Sequence, residues 1–422
     1  MNDLLLRGGL VVGAAGAEVA DVRVVDGVVA EIGPNLETTG EVLDCSGAWV
    51  GPGLVDLHVH FREPGHDWKE TIASGSAAAA SGGFTATVAM PNTDPPVDSG
   101  HLADHIAARG RAAGSVDVVP AGTITMGRQG ERLAHLDELT SAGVKVFTDD
   151  GDAVADAGVL RRAMEYLAEV GGVVAQHAED AGLSAGGHVH EGSVSARLGM
   201  RGSPAAAEEI VIARDLALVR MTGARYHVQH VSTAGSVELV RDAKAEGLPV
   251  TAEVTPHHLV LDHEATLDTD ANTKMYPPLR TVTDVAALRD GVRDGTIDAV
   301  ATDHAPHATH EKDVPFEEAP RGVIGLETAV GAVVEALDPD PALLFDRMST
   351  RPAAIAGLDG HGGPVAVGRP ANLAVIDPEL TQVVDAFVSA ARNSPFLGRT
   401  MRGAARFTVL RGRVTASHGK PS

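Results

Sequence analysis

Hydrophobic and polar positions alternate in one way at the two ends of the chain and in another way in the middle. Residues 1–50 carry short β-branched runs separated by Gly and Asp turn signals, as in DVRVVDGVVAEIG. Residues 361–422 return to this texture, as in GPVAVGRPANLAVIDPELTQVV. These patterns predict strands at both ends, and we expect the two segments to combine into one small β-sandwich domain.

The middle of the chain, residues 51–360, alternates short apolar strands with Ala-rich helical stretches. The strand FTATVAM follows ETIASGSAAAASGG, and GGVVAQHAED follows VLRRAMEYLAEV. Strands that alternate with helices of ten or more residues are typical of βαβ units and a parallel sheet. About seven or eight such repeats in roughly 310 residues favour a closed (β/α)8 barrel of the TIM type over an open doubly wound sheet. The predicted fold class is therefore α/β.

The composition narrows the classes of function. The chain has 422 residues and a formal net charge of −23, which opposes nucleic-acid or anionic-membrane binding as its main task. Its apolar runs are broken by Gly, Asp or Arg well before the about 18 residues that a membrane span needs. The start, MNDLLLRGGLVVGAAG, lacks the pattern of a signal peptide, and Cys45 is the single cysteine. We therefore expect a cytoplasmic protein that binds neither nucleic acid nor membrane.

Five of the predicted barrel strands end in residue types that bind metals. In a parallel barrel all carboxyl ends of the strands open on one face, which is where barrel enzymes build their sites. Residues two apart on a strand point to the same side, so a His-x-His pair can direct two ring nitrogens at one metal. The strand-end residues are His58 and His60, Asp149 and Asp150, His177, His230, and Asp303.

Other polar residues have a structural interpretation. Neighbouring histidines on an extended chain cannot face one metal, so we expect a structural role for His257 and His258. Neither a nucleophile elbow of the G-x-S-x-G type nor a P-loop occurs in the sequence, which argues against serine hydrolysis and phosphoryl transfer. We expect Cys45 to be a small buried hydrophobe. Solvated side chains in polar loops are expected at His188, His190 and His310.

A site with two metals needs a ligand that bridges them. The bridge is either a carboxylate or a lysine that CO2 has converted to its carbamate. Lys145 and Asp150 lie in one predicted strand and turn, and the sequence excludes neither. Asp150 needs no modification.

Several motifs together resemble one family. GLVDLHVHFREPG, TVAMPNTDPPVDS, VFTDDG, QHAED, QHVST, EVTPHHL, NTKMYPPLR and ATDHAPH occur in the order found in dihydroorotases of the longer bacterial type. These enzymes, also called class I, belong to the metal-dependent amidohydrolase superfamily. The resemblance extends over nearly the whole chain, and the combination of HVHFREPG, MPNT and DHAPH is highly specific.

The resemblance implies a zinc-dependent enzyme that interconverts N-carbamoyl-L-aspartate and dihydroorotate in pyrimidine biosynthesis. It implies one or two zinc ions, with two favoured and Asp150 as their bridge, and it makes Asp303 the general base and acid. Related enzymes place a carbamylated lysine about where Lys145 stands, and the intact FTDDG favours Asp150. The zinc ligands that the resemblance implies are His58, His60, Asp150, His177, His230 and Asp303.

The resemblance also implies a set of substrate contacts. Arg321 departs from the phenylalanine that is commoner before the glycine at this position, so the resemblance supports a main-chain contact there but leaves the role of the side chain open. The implied substrate-binding residues are His60, Arg62, Asn92, Asn272, His307, Arg321 and Gly322.

Two rival functions are compatible with parts of the sequence. One is another cyclic amidohydrolase, a hydantoinase or an allantoinase; Arg62 together with PNT at 91–93 favours an acidic ring instead. The other is a non-catalytic dihydroorotase-like partner of aspartate transcarbamoylase, although such subunits lose metal ligands that are present here. A homodimer and an association with aspartate transcarbamoylase both stay open. Residues 306–322 form a predicted loop, and its closure over the substrate also stays open.

Overall fold

The computed structural model describes residues 3–422, and its first strands belong to a mixed sheet. β1 pairs antiparallel with β2, and β2 with β3, whereas β4 and β5 pair with β1 in parallel. The strands are β1 (Asp3–Gly13), β2 (Gly16–Val25), β3 (Val28–Gly33), β4 (Glu41–Asp44) and β5 (Trp49–Pro52).

Eight parallel strands then form the barrel. β6, β7 and β8 make one parallel sheet, and β9, β10, β13, β14 and β15 make another. Parallel bridges from Gly122 to Phe147 and from Val59 to His304 join the two sheets and close the barrel. Its strands are β6 (Leu54–Val59), β7 (Phe84–Ala89), β8 (Asp117–Pro120), β9 (Val146–Phe147), β10 (Val173–Gln176), β13 (Arg225–Val228), β14 (Val250–Val254) and β15 (Ala299–Val300); β11 (Val189–His190) and β12 (Gly202–Ser203) form a small separate pair.

Helices connect the barrel strands and pack around them. Short 3₁₀ turns lie at Met126–Arg128, His263–Thr266, Ala271–Thr273 and Leu326–Thr328, and a π-helical turn lies at Asp346–Thr350. The helices are α1 (Ile72–Ser81), α2 (Gly100–Ala113), α3 (Leu136–Ser141), α4 (Ala157–Val170), α5 (Ala181–Ser184), α6 (Ser193–Leu198), α7 (Ala206–Thr222), α8 (Ala234–Ala245), α9 (Pro256–Val260), α10 (Val282–Asp294), α11 (Thr309–Lys312), α12 (Ala329–Leu337), α13 (Pro341–Phe345) and α14 (Arg351–Ala356).

Helix α4 shows how the local sequence sets these elements. The Asp156 side chain accepts hydrogen bonds from the backbone N–H groups of Gly158 and Val159, which caps the first turn. The helix ends at Gly171, whose φ of 71° is left-handed and therefore suits glycine. Its apolar residues recur at helical spacing on the face that packs into the barrel: Val159, Leu160, Ala163, Met164 and Leu167.

The C-terminal strands complete the sheet that β1 began. β16 (Leu373–Val383) pairs antiparallel with β5, and β17 (Thr400–Leu410), β18 (Arg413–Ser417) and β19 (Lys420–Pro421) continue outward. Strands from both ends of the chain thus share one nine-stranded sheet. Its buried face forms an apolar cluster of its own, which includes Leu6, Val22 and Val375. The predicted domain limits, 1–50, 51–360 and 361–422, stay a prediction.

The terminal sheet lies directly against the barrel. A Cβ atom at Gly51 of β5 would overlap the ring of Phe345 in α13, so only glycine permits this close approach. In residues 3–422, no helix combines the length and the apolar character that crossing a membrane requires.

Candidate metal centre

The strand-end histidines and aspartates meet at the carboxyl end of the barrel. His58 lies on β6 and His60 directly follows it, whereas the others come from the ends of β9, β10, β13 and β15. All are buried, with exposed fractions of 0% for His58, 5% for His60, 2% for Asp150, 3% for His177, 4% for His230 and 7% for Asp303. The barrel therefore brings together six residues that are spread over more than half of the chain.

Asp150 occupies the middle of this cluster. Its Oδ1 lies 3.3 Å from His58 Nε2, 3.6 Å from His177 Nδ1 and 3.5 Å from His230 Nε2, and its Oδ2 lies 3.5 Å from His60 Nε2. Two groups have the geometry to hold a metal ion, and both contain Asp150: His58, His60 and Asp150, and Asp150, His177 and His230.

The donor atoms of this cluster fit a metal. Among the described residues, His58 Nε2 and Asp150 Oδ1 are buried within the cluster and have no hydrogen-bond partner. Buried polar atoms without a partner are costly, and a bound cation would satisfy them. Imidazole nitrogens and carboxylate oxygens are the ligands that Zn²⁺ and similar divalent metals use in catalytic sites.

The neighbouring aspartates Asp149 and Asp150 have different roles. Asp149 Oδ1 accepts hydrogen bonds of 2.8 and 3.0 Å from the backbone N–H groups of Ile124 and Thr125. Asp150 has its backbone N–H bound to Thr148 Oγ1 at 3.1 Å, and its carboxylate faces the histidines. Asp149 thus ties the end of β9 to the connection that follows β8, and of these two aspartates only Asp150 faces the histidines.

Two polar side chains orient the His-x-His pair. His58 Nδ1 donates to Glu253 Oε1 at 2.7 Å, and His60 Nδ1 donates to Asn92 Oδ1 at 2.9 Å. Glu253 Oε2 also accepts from His227 Nε2 at 3.1 Å. These bonds leave Nε2 of both His58 and His60 as the metal-facing nitrogen, which is the usual arrangement around ligating histidines.

Histidines and carboxylates in the cluster shift one another's pKa values toward the charged forms. Burial raises the pKa of Asp150, but the neighbouring His58 charge and hydrogen bonds outweigh burial and hold the pKa well below its usual range. Burial likewise raises the pKa of Asp303, and the charge of His58 and the hydrogen bond with His60 lower it below the ordinary value. For His177, burial lowers the pKa while Asp150 and Glu179 raise it, with a net value of about 9. Both aspartates are therefore carboxylates at neutral pH.

A cavity of about 180 Å³ opens beside the cluster. Arg62 lines it and donates from Nε to the Pro306 carbonyl oxygen at 3.2 Å. Burial lowers the pKa of Arg62 to about 10, so the guanidinium keeps its charge at neutral pH. His307 Nε2 donates to the Arg321 carbonyl oxygen at 2.8 Å, and burial lowers the pKa of His307 to about 2, so this ring is neutral. The cavity thus combines candidate metal ligands with the positive charge of Arg62, and the guanidinium of Arg321 also lines it.

Relatives of known type match the chain over nearly its full length. A dihydroorotase from Pelotomaculum thermopropionicum is 50% identical over 420 residues, which cover 97% of this chain and 98% of the relative. A dihydroorotase from Streptomyces coelicolor is 47% identical, with 100% of both chains covered. The chain belongs to the dihydroorotase family. The Dihydro-orotase-like family profile matches residues 47–236.

Solved structures give the same fold for this dihydroorotase-family chain. The L-hydantoinase (dihydropyrimidinase) from Arthrobacter aurescens aligns with a TM-score of 0.88 and 27% identity, covering 100% of this chain and 98% of that one. The dihydropyrimidinase from Brevibacillus agri NCHU1002 aligns with a TM-score of 0.84 at 24% identity, covering 99% and 96%. The predicted barrel with its β-sandwich is confirmed, and the chain is a metal-dependent cyclic amidohydrolase.

Most of the residues that this family resemblance nominated line the cavity. His58 is fully buried behind the lining, within the cluster, and Asn272 and Lys145 lie elsewhere. Asn272, in the 3₁₀ turn Ala271–Thr273, lines a neighbouring cavity with His307 rather than the cavity beside the metal ligands. Lys145 is exposed and precedes β9, at the strand end opposite Asp150. Because it stands at the amino end of a barrel strand, Lys145 does not face the carboxyl-end cluster in this structure, which favours Asp150 over the lysine alternative. The cavity is lined by His60, Arg62, Asn92, Asp150, Gly151, His177, His230, Tyr276, Asp303, Ala305, His307, Arg321 and Gly322.

Sequence reasoning missed two side chains of this dihydroorotase-family site and misplaced a third. Tyr276 lines the cavity and Glu253 orients His58, and their motifs, NTKMYPPLR and EVTPHHL, were the only signals for them. The prediction of a solvated His190 is wrong: this ring is buried on β11 and accepts from Arg280 Nη1 at 3.2 Å.

The remaining histidines and the cysteine follow the predictions more closely. His310 is exposed, and His188 is half-buried. His258 is buried, accepts from Thr255 Oγ1 at 2.7 Å and donates to the Pro277 carbonyl oxygen at 3.1 Å. Cys45 is buried, and burial raises the pKa of its thiol to about 12. It is the small buried hydrophobe that was expected.

Proposed function

We propose that this chain catalyses the dihydroorotase reaction with two zinc ions that Asp150 bridges. The observation that carries the proposal is the pair of metal-binding groups sharing Asp150, next to a cavity lined by the half-buried Arg62. His58 and His60 would hold one ion, and His177 and His230 the other, with Asp303 as a further ligand. A divalent metal supplies Lewis acidity, which polarises an amide carbonyl and makes water acidic enough to attack it at neutral pH.

Arg62 supplies the charge that orients the substrate. Dihydroorotate and N-carbamoyl-L-aspartate both carry a carboxylate that does not react, and a planar guanidinium can bind a carboxylate through two parallel hydrogen bonds. Asn92 and His307 line the same cavity and complete this pocket. Because His60 Nδ1 already donates to Asn92 Oδ1, the Asn92 amide nitrogen is left to donate to the substrate.

Asp303 transfers a proton from the attacking water to the ring nitrogen. Its carboxylate lies at the edge of the metal cluster, with Oδ1 2.9 Å from His60 Nε2, and it also lines the substrate cavity. In ring opening it takes a proton from the attacking water as the water oxygen bonds to the ring carbonyl carbon. It then delivers this proton to the ring nitrogen as the carbon–nitrogen bond breaks. Ring closure runs the same steps in reverse.

The experiment that tests this function compares three cyclic substrates. The purified chain is assayed with L-dihydroorotate, hydantoin and allantoin side by side, and metal identity and content per chain are measured on the same sample. We expect turnover of dihydroorotate alone and about two zinc ions per chain. Turnover of hydantoin without dihydroorotate would reassign the chain to the hydantoinases, and turnover of none would favour a non-catalytic partner of aspartate transcarbamoylase.

We further propose a cytoplasmic enzyme that acts without a nucleic acid or a membrane as partner. The net charge of −23 supports this, because anionic partners would be repelled. A homodimer and a complex with aspartate transcarbamoylase remain the two assemblies to test. Light scattering of the chain alone and after mixing with the transcarbamoylase measures both.

A further inference from the structure

Tyr276 and Arg321 form a pair in the wall of the substrate cavity. The guanidinium carbon of Arg321 lies 4.0 Å from the centre of the Tyr276 ring, which is cation–π distance. Both residues are half-buried and both line the cavity that contains Arg62 and the metal ligands. The cavity therefore holds a second guanidinium, to which the proposed reaction assigns no task.

The main chain and the side chain of Arg321 are both fixed. Its carbonyl oxygen accepts from His307 Nε2 at 2.8 Å, and the next backbone N–H, that of Gly322, donates to the Lys274 carbonyl oxygen at 2.9 Å. Arg321 Nη2 donates to the Gly187 carbonyl oxygen at 2.6 Å. The guanidinium is thus held between two loops and one ring face, so little rotamer freedom is lost when it binds a ligand.

Tyr276 connects this arginine to the metal side of the cavity. Its ring centre lies 4.7 Å from that of His177. The Tyr276 ring thus lies between the His177 imidazole and the Arg321 guanidinium, and this contact limits how far Arg321 reaches into the cavity.

Most of the Arg321 donors remain available. A guanidinium has five N–H groups, and in residues 3–422 the bond to Gly187 is the only hydrogen bond that this guanidinium makes. No carboxylate of these residues forms an ion pair with it, in contrast to the exposed Arg402 and Arg220. A cation in a cavity wall with unused donors and no counter-charge is suited to an acceptor that the ligand brings.

We propose that Arg321, positioned by Tyr276, binds the ureido oxygen of the substrate. This inference rests on the proposed dihydroorotase function. The reacting carbonyl must face the metal cluster and the spare carboxylate pairs with Arg62, so the ureido oxygen is the acceptor that remains. It is present in both dihydroorotate and N-carbamoyl-L-aspartate. Arg321 is thus a binding residue for both directions of the reaction, and Tyr276 is a positioning residue.

The test compares steady-state kinetics of four variants in both directions. Arg321→Met keeps the length of the stem and removes the donors, and we expect KM for both substrates to rise about tenfold or more, as for loss of a charged hydrogen bond. Tyr276→Leu removes the ring face and should raise KM in the same sense, whereas Tyr276→Phe keeps the face and should stay within about twofold. The double variant Tyr276→Leu with Arg321→Met should be no worse than Arg321→Met, because the two residues act as a unit.

A substrate analogue gives a readout that a merely structural role would not move. Sulfur accepts hydrogen bonds more weakly than oxygen, so the wild-type enzyme should prefer dihydroorotate over its 2-thio analogue. This preference should shrink in Arg321→Met. Arg392→Met is the matched control, since Arg392 is an exposed arginine that lines the neighbouring cavity, and it should leave KM and the preference unchanged.

The outcomes separate this inference from the function on which it rests. If the wild-type enzyme fails to turn over dihydroorotate, the proposed function fails before any variant is made. If it does turn over dihydroorotate and Arg321→Met keeps KM within about twofold and an unchanged thio preference, the inference is overturned. If Arg321→Met loses metal or unfolds, Arg321→Lys is measured in its place. If Tyr276→Leu keeps the wild-type preference for dihydroorotate over its 2-thio analogue, the positioning role of Tyr276 is overturned.

Discussion

The two halves of the cavity are built in different ways. The metal half consists of side chains on or directly after barrel strands, and their positions follow from the strands themselves. The substrate half consists of Arg62, Tyr276, His307 and Arg321, which lie on connections between strands and helices. This difference indicates that the barrel backbone positions the side chains of the metal half, whereas hydrogen bonds from distant segments position those of the substrate half.

The connection 306–322 shows how such a segment is held. Lys312 Nζ donates to the carbonyl oxygens of Ala271 and Pro320 at 2.9 and 2.8 Å, and Lys274 Nζ donates to that of Phe316 at 2.7 Å. The sequence predicted an irregular loop, and the structure adds the short helix Thr309–Lys312. Two buried lysines thus tie the loop down beside the cavity. Its closure on substrate stays a prediction.

The C-terminal segment also supports the substrate half. Asn393 Oδ1 accepts from the His307 backbone N–H at 3.1 Å, and its amide nitrogen donates to the carbonyl oxygens of Ala305 and Gly322 at 3.0 and 3.1 Å. The segment that leads into the last strands of the terminal sheet therefore helps to fix the mouth of the barrel. This arrangement explains why the substrate half depends on parts of the chain far from the strand ends.

The largest effect is expected from removing the shared ligand of the metal half. Asp150→Ala should abolish activity and reduce bound metal, because both metal-binding groups contain Asp150. Metal content by mass spectrometry and turnover of dihydroorotate measure this. Lys145→Ala is the control, and since Lys145 is exposed it should keep activity within about twofold of wild type. Normal metal content in Asp150→Ala, or inactivity of Lys145→Ala, would contradict the bridging role of Asp150.

The next effect tests the proton transfer at the border between the two halves. Asp303→Asn keeps the size of the side chain but cannot act as a base, so kcat should fall by about 10²–10⁴-fold. Circular dichroism and thermal unfolding should show an intact fold. A kcat near that of the wild type would exclude Asp303 as the proton carrier.

A smaller effect is expected in the substrate half. Arg62→Met should raise KM for dihydroorotate by about tenfold to a hundredfold, since a charged hydrogen-bond partner of the carboxylate is lost. Metal content should stay at the wild-type level, because Arg62 is not among the metal-binding groups. If metal content fell along with activity, the two halves would not be separable in the way proposed.

The smallest effect tests the partners of the metal ligands. Glu253→Gln weakens the acceptor of His58 Nδ1, so metal affinity should fall by about 10–100-fold while activity at saturating zinc is largely kept. Zinc titration with a competing chelator measures the affinity. Glu238→Gln is the control, because Glu238 is an exposed carboxylate on α8, and it should leave zinc affinity unchanged. An unaltered affinity in Glu253→Gln would show that the barrel alone orients His58.

The spacing of apolar and polar residues was sufficient to predict the main features of the fold. The βα alternation from residue 51 predicted the barrel, and the strand-and-turn texture at both ends predicted that these segments combine. His190 shows the limit of this reasoning, because a histidine in a polar stretch gave no sign that β11 and β12 would bury it. Burial in a connection depends on which segments cover it, and local sequence does not report that.

The sequence by itself determined which residue types stand at the strand ends, since the alternation of a strand sets the direction of His58 and His60 without reference to any other segment. Only the tertiary structure decided that Asp150 and not Lys145 reaches the cluster, because the two lie at opposite ends of β9. The same holds for Glu253 and His58, which are 195 residues apart, and for the contact of Arg321 with Tyr276. These contacts form only when the barrel closes, and closure depends on the whole chain.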